Sequence, residues 1–372
     1  MTKRRFTPPI CIALALLLGT SLEAAESALE DDAQGETVVI IGRGLDLTGA
    51  ADSANEGYVG AFDLQARPIF RVGELVEAIP GVTITQHAGG GKANQFFLRG
   101  FNLDHGTDLV TSIDGMPVNM VTHAHGQGYT DLNIVIPELV DNVSYKKGPY
   151  YADVGDFGSA GAFDIRFTDQ LEHGIASLGG GTLGYARMML ADSPKLGAGR
   201  LLYGLELEHA DGPWLRPDDF QKINALLRYS MVDGTNGFRL TLMGYHGAWN
   251  SSDQAPRRAF EHGLNRFDAL DHTTGGDSQR YSVLADWRRG DADSLTQLLI
   301  YGSYYDLDLF SNFTYFLDDP LHGDQFEQHD RRLLAGAKLS ETWFHEMFAR
   351  PSQSRTAQRP LHPVGAVLSQ HH

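Results

Sequence analysis

Residues 238–246 read FRLTLMGYH. Phe238, Leu240, Leu242 and Gly244 alternate with Arg239, Thr241, Met243 and Tyr245, the period of a strand whose two faces meet different surroundings. The same texture recurs on either side. In 281–288, YSVLADWR, Tyr281, Val283, Ala285 and Trp287 alternate with Ser282, Leu284, Asp286 and Arg288. In 201–209, LLYGLELEH, Tyr203, Leu205 and Leu207 stand opposite Gly204, Glu206 and Glu208. One apolar face, one charged face and aromatics near strand ends are the pattern of a membrane β-barrel. A soluble sandwich also alternates, but charges in mid-strand with aromatic ends favour the barrel. About eight such strands fit between residues 169 and 340. The polar stretches 248–279 and 311–328 suit extracellular loops, and the short connections suit periplasmic turns.

Upstream, from 58 to 168, the texture is different. Arg71 to Ile79 carries Val72, Leu75, Val76 and Ile79 on one helical face, and Pro80-Gly81 stops it. Short strands are expected at 82–85, 96–99, 109–113, 143–146 and 163–167, several of them closed by glycine or Asp-Gly. Asp114-Gly115 should form a tight hairpin turn, with Gly115 free to take positive φ. Arg99 sits in the apolar strand FFLRG, so its guanidinium is expected to find a carboxylate or carbonyl inside the domain. The fold class expected is therefore a small α+β domain followed by antiparallel transmembrane β-barrel strands.

The N-terminus has the form of an export signal over 1–25. Lys3, Arg4 and Arg5 precede an apolar run from Ile10 to Leu18, and small residues follow at Ala24 and Ala25. The run is too short to span a bilayer as a helix, so removal after export is expected. The single cysteine, Cys11, lies inside this signal, which leaves the mature chain no disulfide, thiolate site or cysteine nucleophile. A formal charge of −17 argues against nucleic acid as a partner. Residues 26–57 form a flexible lead. Within it Thr37, Val38, Val39, Ile40 and Ile41 make an isolated β-branched run, suited to an ordinary first strand or to pairing with another protein's sheet edge. After 340 the alternation stops. The segment 341–372 is rich in Arg, Pro, Gln, Ser and His, and reads as a frameshifted or misjoined end or as a disordered extension.

Five motifs in one order carry a resemblance: ETVVIIG at 36–42, RVGELVEAIPGVTI at 71–84, FFLRGF at 96–101, SIDGMPVN at 112–119 and VSYKKGPYYADVGDFGSAGAFDIRF at 143–167. Together they resemble TonB-dependent outer-membrane receptors. The resemblance makes 37–41 the TonB box and 58–168 the plug domain, and it makes 169–340 part of a 22-stranded barrel. It implies a receptor that carries a scarce nutrient across the outer membrane. Its partners would be TonB with the inner-membrane energising complex, outer-membrane lipid and a small nutrient ligand. It implies no catalysis, and the chain has no Gly-x-Ser-x-Gly, His-Glu-x-x-His or phosphate-binding Gly-Lys-Ser/Thr motif.

The stretches NLDHGTD at 102–108 and MVTHAHGQGYTDLN at 120–133 resemble a histidine-containing subgroup of that family. Asp104, His105, Asp108, His123 and His125 are the expected ligand-binding residues, and the three histidines the expected metal ligands. His-x-His on a strand would place both rings on one face. The alternative is that these groups only order the plug's loops. No resident cofactor is expected, and a transition metal or metal complex would be cargo. Length argues for an incomplete barrel. Only 372 − 168 = 204 residues follow the plug, whereas twenty-two strands need about 220 before any loop. A truncated receptor is the expectation. The competing class is a soluble periplasmic or secreted ligand-binding β protein.

Overall fold

The computed structural model of the chain describes residues 50–51, 53–87, 89–344, 357–360 and 364–369. The expected export signal and the box at Thr37 to Ile41 lie outside the described residues, as does much of 341–372.

The first part is built from short elements: β1 (Ala50–Ala51), β2 (Glu56–Gly60), α1 (Ala61–Gln65), a 3-10 helix (Val72–Ala78), β3 (Val82–Thr85), β4 (Gln95–Leu98), β5 (Phe101–Asn102), β6 (Leu109–Ile113), β7 (Met116–Pro117), a second 3-10 turn (Pro137–Leu139), β8 (Val140–Lys147) and β9 (Gly161–Phe167). One sheet runs β1-β2-β8-β9-β6-β7 and a second β3-β4-β5. The β6–β9 pair is parallel and every other pair is antiparallel. The expected helical face is present, with Leu75 and Val76 fully buried, but its turns are 3-10 rather than α. Pro80 closes the segment, and 3-10 winding is common in short helical pieces of this kind. Glu74 caps the start, where its carboxylate accepts the N–H groups of Phe70 at 2.8 Å and Arg71 at 3.1 Å.

Arg99 departs from expectation. It lies in the turn after β4 at φ 53°, its side chain is exposed, and Nη2 donates to Asn55 Oδ1 at 2.8 Å. The left-handed backbone turns it out of the strand's buried row, so it needs no interior carboxylate.

The second part is a single antiparallel wall. In order come β10 (Ile175–Gly180), β11 (Ala186–Asp192), β12 (Lys195–Leu196), β13 (Gly199–Ala210), β14 (Phe220–Asp233), β15 (Asn236–Asn250), α2 (Arg257–Glu261), β16 (Gly275–Gly290), β17 (Ser294–Ser311), β18 (Phe326–Trp343), β19 (Ala357–Pro360) and β20 (Val364–Ser369). The path is β10-β11-β13-β14-β15-β16-β17-β18, with β19 and β20 both pairing to β18. Eight strands carry the wall, as the alternation predicts. Three of the connections at one end are long (211–219, 251–274 and 312–325) and one, 181–185, is short; those at the other end are all short (193–198, 234–235 and 291–293). The strands rise further than expected into the polar stretches. Cross-strand pairs such as His246–Asp277 keep the ladder going through residues that read as loop.

The two faces of the wall meet different media. Ile223, Leu227, Leu240, Leu242, Val283, Ile300 and Leu333 point outward and are exposed, while Arg228, Arg280 and Tyr305 point inward and are fully buried. Tyr281 pairs with Tyr304 at the upper edge of the outward band, and Phe238 with Trp287 at the lower edge. Phe238 and Gly244, the partner of Tyr281, are six residues apart on β15, or roughly 20 Å along the strand. Among the described residues no second sheet covers the outward face. No described helix is long and apolar enough to cross a membrane. The inward face packs on the first domain. Leu202, Leu226, Met243, Leu284 and Leu299 join one core with Ile113, Ile136 and Phe167.

Candidate functional site

Two segments of the first domain reach the long-loop end of the wall. The first, 86–94, runs along Trp249 and Phe220 at the ends of β15 and β14. Gly91 fits there because it has no side chain: a Cβ would lie 2.1 Å from Trp249 Cε3. Lys92 follows, buried, with Nζ 4.0 Å from Asp253 in the 251–274 loop. Burial pushes its pKa down, and Asp253 opposes that only in part.

The second segment, 121–128, is a loop closed by a lone bridge between Met120 and Tyr129. The His-x-His pair therefore lies in a loop and not, contrary to the expectation from the sequence, on a strand. The rings still converge, because both are laid against the buried Tyr129. The His123 ring stacks on it with centroids 4.1 Å apart and planes at 5°, and the His125 ring meets it edge-on at 5.6 Å. The loop is tightened by the His125 N–H, which donates to His123 Nδ1 at 3.1 Å.

His105 enters from the turn after β5. Its buried ring places Nδ1 3.1 Å from the Ala93 carbonyl and 3.2 Å from that of Asn94. Its Nε2 is 3.1 Å from His125 Nε2 and 3.6 Å from Asp104 Oδ1. On the far side, His125 Nδ1 is 2.8 Å from Gln328 Oε1 on β18, and Gln328 Nε2 donates to the Ala124 carbonyl at 2.7 Å. Asp330, also on β18, accepts the Ala124 N–H at 3.2 Å and lies 3.8 Å from His123 Nε2, which has no hydrogen-bond partner.

Burial dominates the protonation of these rings. It takes His105 down to about 4, helped by the nearby His125, and His123 down to about 3 against the pull of Asp330. His125 is also lowered, again chiefly by burial. At neutral pH the rings are uncharged and their free nitrogens are lone-pair donors.

Four of the five expected residues, Asp104, His105, His123 and His125, are thus brought together. Asp108 is not: it lines a separate hollow with Pro149, Tyr151 and 155–159. Sequence reasoning missed His87, whose ring lies 5.3 Å from His105, and Tyr129, Gln328 and Asp330. The histidine beside the 89–91 glycine run was a usable signal for His87. Nothing local points to the β18 residues.

The wall grips the domain through ion pairs. The Asp114-Gly115 turn has φ of 49° and 81°, both positive, as a type I′ hairpin demands. The Asp114 carboxylate pairs with Arg228, whose Nη1 also donates to the Phe167 carbonyl at 2.8 Å. Arg187 holds Glu138 through two bonds of 2.6 and 2.9 Å, and Arg239 holds Asp169 through bonds of 2.7 to 2.9 Å.

Residues 49–162 match the family described as the TonB-dependent receptor plug domain. Several solved receptors share the fold. The copper transporter OprC superposes with a TM-score of 0.60 at 18% identity, over 81% of this chain and 44% of that one. The siderophore receptor PiuA from Acinetobacter baumannii gives 0.61 at 11% identity, over 80% and 46%. The ferric-catecholate import receptor Fiu from E. coli K12 gives 0.58 at 14% identity, over 80% and 47%. The chain spans less than half the length of these receptors.

Proposed function

From the premise that this chain carries the plug domain and antiparallel barrel strands of the TonB-dependent receptor family, we propose that it serves nutrient uptake across the outer membrane, with a metal or metal complex as cargo. The ligand arrives at the long-loop end and meets the plug at Asp104, His105 and His125, with His123 beside them in the loop that carries His125. Occupancy is signalled to the periplasm, where TonB adds a strand to Thr37, Val38, Val39, Ile40 and Ile41. The inner-membrane energising complex then supplies the force that draws the plug partly from the wall. The receptor itself makes and breaks no covalent bond. One observation carries this reading: a plug ion-paired to the inner face of a wall with an apolar outward face presents its histidines at the end with the long loops.

The test is growth of cells under metal limitation, with and without TonB, and with Val39→Pro. Proline removes an N–H that an added strand needs. Growth that needs TonB and is lost in Val39→Pro supports the reading. Equal growth in all three backgrounds overturns it.

A further inference from the structure

The two Nε2 atoms of His105 and His125 face each other at 3.1 Å, and the hydrogen-bond network decides what lies between them. Gln328 Nε2 is committed to the Ala124 carbonyl, so the amide's oxygen faces His125 Nδ1, and that nitrogen must carry its hydrogen. His105 Nδ1 faces two backbone carbonyls, which can only accept, so it carries its hydrogen too. A neutral imidazole has one N–H. Both Nε2 atoms are then bare lone pairs in contact, an arrangement that requires a cation between them or beside them.

A metal ion suits the spacing. Two metal–nitrogen bonds of about 2.0–2.1 Å, at angles between square-planar and tetrahedral, place the donors roughly 2.9–3.4 Å apart. The Nδ1–H groups bound to oxygen are the usual outer support of ligating histidines. Asp104 Oδ1 stands 3.6 Å from His105 Nε2, and its carboxylate is half exposed, so a negative charge borders the pair on its solvent side. His123 is excluded from the ligand set. Its Nδ1 accepts the His125 N–H, and its Nε2 is directed at Asp330.

Building on the uptake reading above, we propose that His105 and His125 chelate a late first-row transition ion directly through Nε2, and that the cargo therefore arrives with exchangeable coordination sites. Imidazole nitrogens favour Cu²⁺, Ni²⁺ and Zn²⁺ over Mg²⁺ and Ca²⁺. His123, Gln328 and Asp330 are positioning residues that hold the loop to β18.

The experiment uses the full chain in detergent micelles, titrated calorimetrically with Zn²⁺ and Cu²⁺ and read by X-ray absorption. One ion per chain with two imidazole nitrogens in its shell is expected. His105→Gln and His125→Gln, which keep polarity and near volume, each weaken binding about tenfold or more. Gln328→Ala weakens it about 10–100-fold while leaving the nitrogen count at two. His123→Ala keeps the same shell. An ion shell without imidazole, or wild-type binding in both glutamine variants, overturns the proposal. If neither ion binds while uptake still requires TonB, the coordination fails and the uptake reading stands. If the ion binds as described but uptake is indifferent to TonB, the coordination stands and the uptake reading fails.

Discussion

Arg228, on the wall, closes on Asp114, on the plug, across 114 residues of sequence. The arginine is fully buried, and its other nitrogens are taken by the Phe167 carbonyl and by Thr241 Oγ1 at 3.0 Å. The pair ties the Asp-Gly hairpin of β6–β7 to the middle of β14. Its value lies in geometry as much as in energy, because a buried pair gains little over an apolar replacement but costs much when halved.

Asp114→Ala therefore takes the nearer of two carboxylates from a buried cation, leaving Asp169 at 3.6 Å, and should cost about 1–3 kcal/mol. Arg228→Met combined with Asp114→Ala should recover much of that loss. Chemical unfolding of the four members of the cycle measures the coupling. Additive losses in the double variant would show that the pair does not act as a unit.

Gly91 tests the seat of the plug's upper segment. Gly91→Ala drives a methyl into Trp249, which is itself buried. Overpacking of this kind costs about 1–3 kcal/mol. The expected outcome is a lower thermal midpoint, restored in part by Trp249→Phe, which makes room. An unchanged midpoint in Gly91→Ala would refute the tight approach.

Glu138 and Arg187 should make plug attachment depend on acid. Burial works against the Glu138 carboxylate, but the hydrogen bonds and charge of Arg187 outweigh it and hold its pKa below the ordinary 4.5. A folded value below the unfolded one means a contribution that is complete above about 4.5 and fades as pH falls through the lower folded value. Stability of the parent chain should fall faster below that pH than stability of Glu138→Gln. Parallel acid limbs in the two unfolding-versus-pH curves would contradict this.

Tyr129 carries the floor of the histidine loop. Its hydroxyl accepts the N–H of Ala93 at 3.1 Å. Tyr129→Phe keeps the stacking surface but strands that buried donor, at a cost of about 1–3 kcal/mol. Hydrogen exchange at the Ala93 amide should quicken markedly while the wall strands stay protected. Uniform exchange across the chain would point to a global effect instead.

Much of the fold was legible before any coordinates, for local reasons. Alternation in FRLTLMGYH and YSVLADWR named the outward and inward residues of β15 and β16, because a strand reverses its side chains at every step. Asp114-Gly115 announced its turn, because few other pairs tolerate two positive φ values. The 3-10 winding of 72–78 was missed because its periodicity over so few residues is indistinguishable from that of an α-helix. Arg99 was misplaced because one left-handed residue ends a strand without changing its composition.

The site divides along the same line. Sequence supplied the residue types: histidines and aspartates in two glycine-flanked stretches, read as ligands, and a barrel-type wall behind them. Only the tertiary structure chose among them. It joined His105 to His125 across 20 residues and His125 to Gln328 across 203, and it turned Asp108 away. Turn and strand preferences are set by neighbours in the chain, so sequence reveals them. A hydrogen bond that spans most of the chain depends on how the whole wall wraps the plug, and no local pattern records it.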